Sequence, residues 1–307
     1  MSHILVVGSL NADLVVRAPR FPQPGETISG EDLQVIPGGK GANQAVAAAR
    51  LGSNVSMLGR VGKDNFGGFL LDNLGSNQVD SQFVKREDAS TGTAIIVVDP
   101  NGQNSIVLSA GANGKVSPAD VESASFLNYD LLLLQLEIPL PAVLAAARRA
   151  KANNLQVILN PAPAREISDE LIALVDFIIP NESELRLLTG TDVNDVPSAE
   201  QASHILLQRG AQNVIVTLGE KGALIVNSDQ ATHVETFKVD VVDTTAAGDA
   251  FIGGFSTALL QNMSLEESVR YGCACGALAA SKFGAQPSLP GKEEVERLLS
   301  HFPITNY

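Results

Sequence analysis

The chain has 307 residues, 45% of them hydrophobic, with 34 acidic residues against 21 basic ones and a net charge of −13. That length and apolar content suit a full hydrophobic core and exclude a disordered protein. The acidic balance argues against a nucleic-acid partner, since phosphate backbones attract basic surfaces, and an anionic small molecule would need local help from helix ends, a metal ion or a few lysines.

His3-Ile4-Leu5-Val6-Val7-Gly8 is too short for a signal-peptide core and reads as a first strand. Ala12–Arg17, Thr27–Ile36, Gly92–Asp99 and Ser105–Ser109 alternate apolar and polar residues, as half-exposed strands do. They fall in two pieces, about 12–38 and 92–110, separated by a helix from Gly41 to Leu51 and further α/β material. Asp99-Pro100-Asn101-Gly102 has the composition of a hairpin turn. These strands form either a small sheet that lies beside the main sheet as a lid, or the edge of one mixed sheet.

From about residue 130, apolar runs alternate with helical patterns. Leu131–Leu134, Val157–Leu159, Phe177–Ile179 and Val214–Val216 read as buried strands. Pro141–Lys151, Glu170–Val175 and Ala199–Arg209 read as the helices between them. Such alternation predicts βαβ units and a mostly parallel sheet covered on both faces. Gly248–Leu260, Ser264–Lys282 and Glu293–His301 read as closing helices. No linker divides the chain, so one α/β domain over 1–307 is expected. No run of about 18 apolar residues is present to span a membrane. Cys273 and Cys275 point about 200° apart on their helix and read as packing residues, which suits a reducing, cytoplasmic compartment.

Chemistry concentrates in a few stretches. In Asp243-Thr244-Thr245-Ala246-Ala247-Gly248-Asp249, small residues lead into an apolar helix. A helix start leaves backbone N–H groups unpaired and carries partial positive charge, so it can hold an anion. Ala246, Ala247 and Gly248 leave those groups uncovered, and Asp249 stands beside them as a helix cap or as a base. Gly38-Gly39-Lys40-Gly41-Ala42-Asn43 permits close backbone approach to a ligand, with Lys40 and Asn43 as hydrogen-bonding groups. It is neither a phosphate-binding P-loop nor a dinucleotide fingerprint. Asn11, Asp13 and Glu137 follow strands, where an open α/β sheet binds its ligands. Asn181-Glu182-Ser183-Glu184 reads either as a helix cap or as a site where Glu184 helps to hold Mg²⁺. Thr217-Leu218-Gly219-Glu220-Lys221-Gly222 reads as a plain hairpin or as a turn over a nucleotide. The four histidines lie outside all of these, which leaves Asp249 as the candidate base.

Together these segments resemble the ribokinase (PfkB-type) family of sugar and nucleoside kinases. Leu159-Asn160-Pro161-Ala162-Pro163 and Gly284-Ala285-Gln286-Pro287-Ser288 also fall in the family's order. The resemblance spans essentially the whole chain and implies a three-layer fold with a small β-sheet lid that closes over the sugar and forms a homodimer contact. It implies ATP-dependent phosphorylation of ribose at its 5-hydroxyl. Asp249 would be the base, and Ala246, Ala247 and Gly248 the anion hole. Asn11, Asp13, Gly39, Lys40, Asn43 and Glu137 would hold the sugar. Asn181 and residues Thr217, Leu218, Gly219, Glu220, Lys221 and Gly222 would contact ATP, with Glu184 in the magnesium shell. A potassium ion would lie near Asp243, Thr245, Ala279, Lys282, Gly284 and Ser288, held largely by carbonyls. The Asn11 amide favours ribose over 2-deoxyribose. Fructose and adenosine are the alternative substrates, and a non-catalytic sugar-binding protein is the alternative class. A nicotinamide dehydrogenase lacks its glycine fingerprint.

Overall fold

The structure, a computed structural model, describes residues 3–100 and 103–302. Its strands, in chain order, are β1 (His3–Val7), β2 (Asn11–Arg17), β3 (Gln34–Gly38), β4 (Asn54–Gly62), β5 (Val79–Glu87), β6 (Gly92–Val98) and β7 (Asn104–Ser109). Then follow β8 (Leu131–Leu134), β9 (Gln156–Leu159), β10 (Phe177–Ile178), β11 (Asn213–Thr217), β12 (Ala223–Val226) and β13 (Ala231–Val234). Nine form the central sheet, in the order β13-β12-β11-β10-β9-β8-β1-β4-β5, and four form a second sheet, β3-β2-β6-β7. The central strands run parallel from β5 through β11, and only β12 and β13 at one edge are antiparallel.

The continuous apolar runs of β1 and β8 have a simple cause. Ile4, Val6, Leu131 and Leu133 point into one core, while Leu5, Val7, Leu132 and Leu134 point into another on the opposite face. The first core is closed by helices Lys40–Arg50, Ala247–Leu260 and Leu265–Ala280; the second by Leu140–Ala152, Asp169–Leu174 and Val196–Gln208. Each such side chain contributes about 1.5–3 kcal/mol through burial, so no face of these strands tolerates a polar residue cheaply. Cys273 and Cys275 are buried free thiols in the first core, and burial pushes the Cys273 thiol up to about 12. They pack and do not react.

The second sheet is separate from the central one, which settles the choice between a small sheet and an edge. Its expected strand Thr27–Ile36 is corrected to Gln34–Gly38. Among the described residues β3 pairs with β2 alone, in a ladder that stops at Val15–Gln34; upstream of it the backbone leaves the sheet and returns through the bond from Glu31 N–H to the Arg17 carbonyl. Across the sheet, Val107, Ile95, Leu14 and Val35 share one register row, and Leu108, Ala94, Asp13 and Ile36 the next. Val15, Ile36, Ala94 and Ile96 form a small inward cluster that packs against Phe283. The expected turn at Asp99–Gly102 lies partly outside the described residues; β6 and β7 pair as an antiparallel hairpin on either side of it. Strands β12 and β13 were not expected from the sequence. Among the described residues, no helix is long and apolar enough to cross a membrane.

Candidate active site

The carboxyl ends of β1, β8, β9, β10 and β11 deliver Ser9, Gln135 and Glu137, Asn160, Asn181 and Thr217 to one edge of the sheet. The starts of helices Lys40–Arg50, Glu182–Thr189 and Ala247–Leu260 meet them there. Two of these helices run side by side in the same direction. Asn43 and Gln44 touch Asp249, and one turn further on a Cβ at Gly253 would lie 2.5 Å from Ala47 Cβ and 2.9 Å from Ala48 N. Only glycine allows that approach, and it brings both positive helix ends to the same place.

Asp249 lies in the first turn of its helix and is 4% exposed. Its Oδ2 accepts from Asn43 Nδ2 at 2.9 Å and its Oδ1 from Gln44 Nε2 at 3.0 Å. It is therefore no simple cap, since its helix has no side-chain capping bond. Beside it the Ala247 amide turns to the Thr244 carbonyl at 3.2 Å, so the open amides at this helix start are those of Ala246, Gly248 and Asp249. A Cβ at Gly248 would meet nothing within 4 Å. Packing does not require glycine there, whereas an approaching anion would.

On the side of the second sheet, Gly39 takes a φ of 88° and sits against the Asn11 backbone, where a Cβ would lie 2.7 Å from Asn11 N. Asn11 is buried, and its Oδ1 accepts from Asn113 Nδ2 at 2.7 Å. That bond fixes which end of the Asn11 amide accepts and leaves its NH₂ as a donor. Asn43 keeps its Oδ1 buried with no partner, an acceptor that a hydroxyl would satisfy. Glu137 Oε2 accepts from Ser9 Oγ at 2.5 Å and from Lys40 N at 3.1 Å. Asp13 is 7% exposed, and burial, then Glu137, then Asp249 push its carboxyl up to about 7. It opens onto a cavity of about 300 Å³ between the second sheet and the loop of Asp243, Thr245, Phe283 and Gly284.

Lys40 stands elsewhere. It lines a second cavity, of about 170 Å³, with Asn160, Asn181, Glu184, Thr217, Gly248 and Asp249. Burial pulls its ammonium down, but Asp249, Glu137 and Glu184 outweigh that and hold it above the ordinary lysine value. Its charge thus lies in this smaller cavity, among Asp249, Glu137 and Glu184. Glu184 forms a reciprocal cap with Asn181: its Oε2 accepts from Asn181 N at 2.9 Å, and its own N–H donates to Asn181 Oδ1 at 2.8 Å. Burial pushes the Glu184 carboxyl up against the pull of the Asn181 bond and Lys40.

The hairpin reading of Thr217–Gly222 is also correct: β11 and β12 pair, and Gly219–Lys221 forms the turn between them. Thr217 lines the second cavity, but the Leu218 side chain is buried in the core and Lys221 Nζ donates to the Asn194 carbonyl. The backbone of both residues is engaged as well: Leu218 N–H donates to the Gly222 carbonyl, Lys221 N–H to the Leu218 carbonyl, and the Lys221 carbonyl pairs with the His233 ring. The expected cation residues converge in part. Asp243 Oδ1 accepts from Thr245 N and Oδ2 from Gly284 N, each at 2.9 Å, and Ala279 turns back through a bond from Lys282 N to its carbonyl. Lys282 Nζ is drawn away to Glu294, and Ser288 Oγ donates to the Ala285 carbonyl. The loop therefore fits a monovalent cation through carbonyls and Asp243, not through those side chains.

Sequence reasoning gave no role to Ser9, Gln44, Asn113, Gln135 or Asn160. None carries a charge or a motif of its own.

What this geometry asks for is an acceptor hydroxyl on one side of Asp249 and an anion on the other, the arrangement of a phosphotransferase acting on a small polyol. The chain belongs to the pfkB family of carbohydrate kinases, whose family model matches residues 1–292. It is 43% identical to ribokinase of Haemophilus influenzae over 97% of this chain and 98% of that protein. It is 40% identical to deoxyribokinase of Salmonella typhi, again over 97% of this chain and 98% of that one. The solved structure of Arabidopsis thaliana ribokinase complexed with ribose and ATP superposes with a TM-score of 0.90 at 34% identity, covering 97% of this chain and 99% of that one.

Proposed function

We propose that this protein transfers the terminal phosphoryl group of ATP to the 5-hydroxyl of ribose, giving ribose 5-phosphate and ADP. The observation that carries this reading is Asp249, buried and held by two amides, beside a helix start whose Gly248 leaves room for a phosphate. The hydroxyl gives its proton to Asp249 as its oxygen bonds the phosphorus; the bond to the bridging oxygen breaks and ADP departs. Ala246 and Gly248 N–H groups take up charge on the transferring oxygens, and Lys40 screens them in the smaller cavity. Magnesium carried by ATP supplies further charge neutralisation, with Glu184 and Asn181 as its holders. A potassium ion at the Asp243–Gly284 loop would order the start of the same helix.

The second sheet acts as the lid, from residues 12–38 and 92–110 of a single domain. Its outer row, with Val35 42%, Ile95 51% and Val107 64% exposed, suits the homodimer contact. Buried free thiols suit a cytoplasmic setting.

A coupled assay of ADP release over pentoses, hexoses and nucleosides tests the reading. Turnover with ribose and Mg-ATP, stimulated by potassium, is expected, with at least about a 1000-fold loss in Asp249→Asn. Absence of ADP release with every sugar would sink it. The similarity to a deoxyribokinase makes 2-deoxyribose the second reading. Asn11 opposes it: with Oδ1 held by Asn113, its NH₂ needs an acceptor that a missing 2-hydroxyl cannot offer. Equal kcat/KM for both sugars would overturn that preference.

A further inference from the structure

Beneath Asp249 lies a chain of neutral amides. Gln44 and Gln135 are fully buried and Asn160 is 8% exposed. Gln44 Nε2 donates to Asp249 Oδ1 at 3.0 Å and to Asn160 Oδ1 at 3.3 Å; Gln135 Nε2 donates to Gln44 Oε1 at 2.6 Å. The direction of every bond is forced. Asn160 Nδ2 donates to the backbone carbonyl of Ile179, so its oxygen must face Gln44. An ionised Asp249 only accepts, so the Gln44 nitrogen must face both, and its oxygen is left for Gln135. Gln135 is fixed in turn by Gly8, where a Cβ would lie 2.0 Å from Gln135 Oε1. That oxygen has no hydrogen-bond partner among the described residues; the amide keeps its nitrogen toward Gln44 because the Gln44 oxygen needs a donor.

We propose that Gln44, oriented by Gln135 and Asn160, is a positioning residue that sets the Asp249 carboxylate for proton removal from the sugar. This rests on the kinase reading above. With Asn43 on Oδ2 and Gln44 on Oδ1, the carboxylate cannot rotate, and its remaining lone pairs face the cavity. Neutral amides do this without adding charge to a site where Asp13, Lys40, Glu137 and Glu184 already set the field.

The test compares Gln44→Met, Gln44→Glu and Gln135→Glu with the wild type in full kinetics from pH 5.5 to 9. Gln44→Met should lower kcat roughly 10- to 150-fold, the range for a lost bond to a charged group, with KM for ribose and ATP changed less than about threefold. Gln44→Glu keeps the shape but sets a second carboxylate on Asp249, so the acid limb of kcat should move up by about one pH unit or more. Gln135→Glu offers an acceptor where Gln44 needs a donor, and should turn the Gln44 oxygen onto Asp249 with a similar loss of kcat. The double variant Gln44→Met, Gln135→Glu should then be no worse than Gln44→Met alone. Single variants with kcat within threefold of wild type and an unmoved acid limb would overturn the proposal, as would losses that add. Two failures stay distinct: a wild type that releases no ADP with any sugar refutes the kinase reading itself, whereas an active wild type with an inactive Asp249→Asn and fully active Gln44 variants refutes only the positioning role of Gln44.

Discussion

The two sheets of this molecule are held in different ways. The middle strands of the central sheet are buried on both faces, and every residue of β8 lies in one of two large cores. The second sheet has a four-residue cluster on its inner face, met by Phe283 from the rest of the molecule, and an exposed apolar row on the other. The first builds a firm edge on which side chains can be placed. The second has little packing of its own, so on the proposed reading of it as a lid a ligand and a partner would add to its support.

Cutting the core should break this contrast most visibly. Leu133→Ala in β8 is expected to cost about 2–5 kcal/mol of global stability, read from the denaturant midpoint, with ribose KM nearly unchanged in the molecules that remain folded. Next comes the outer row of the lid. Ile95→Lys should weaken self-association by at least about 100-fold, roughly 2.7 kcal/mol, in sedimentation equilibrium, while the melting of the central sheet stays put. A monomeric wild type would remove the partner from the picture.

The third measurement is pH. Asp13 belongs to the lid strand β2 but faces Glu137 and Asp249, and its folded pKa of about 7 lies above the ordinary value of 3.8. The native state therefore binds the proton more tightly, and this group's contribution to stability is lost as pH rises from about 4 to 7. Sugar hydroxyls that donate to Asp13 need it ionised, so ribose binding should release a proton. KM should fall by up to about tenfold per unit below pH 7 and level off above it. Asp13→Asn should flatten that slope. Finally, Val15→Ala on the inner face of the lid should cost about 1 kcal/mol or less globally yet raise ribose KM about threefold. A larger loss of stability than in Leu133→Ala would reverse the order of the two sheets.

How much of this was legible in the sequence follows from the same contrast. Strands buried on both faces announce themselves as unbroken apolar runs, and β1, β8, β9 and β11 were readable for that reason. Alternation in Thr27–Ile36 said what the side chains prefer but not where β2 stops offering partners. Ala223–Val226 is an apolar run as short and as buried as β8, and it pairs with β11; Ala231–Val234 is half-exposed, carries no such run, and is a strand because β12 gives it an edge to pair with. In the site, the acid and the glycines carried motifs, and Asp13, Asn43 and Asp249 do meet. Gln44, Gln135 and Asn160 were silent, because a neutral amide acquires meaning only when the topology brings residues 44, 135, 160 and 249 together.

The contact at Gly253 carries this further. One helical turn below Asp249, it sets how deeply two parallel rods are seated against each other. A methyl group there would act as a wedge, lifting the carboxylate off Asn43 and Gln44 together while leaving every polar residue of the site chemically intact. The accuracy of proton removal is thus stored in a clearance of less than one carbon atom, at a position with no chemistry of its own.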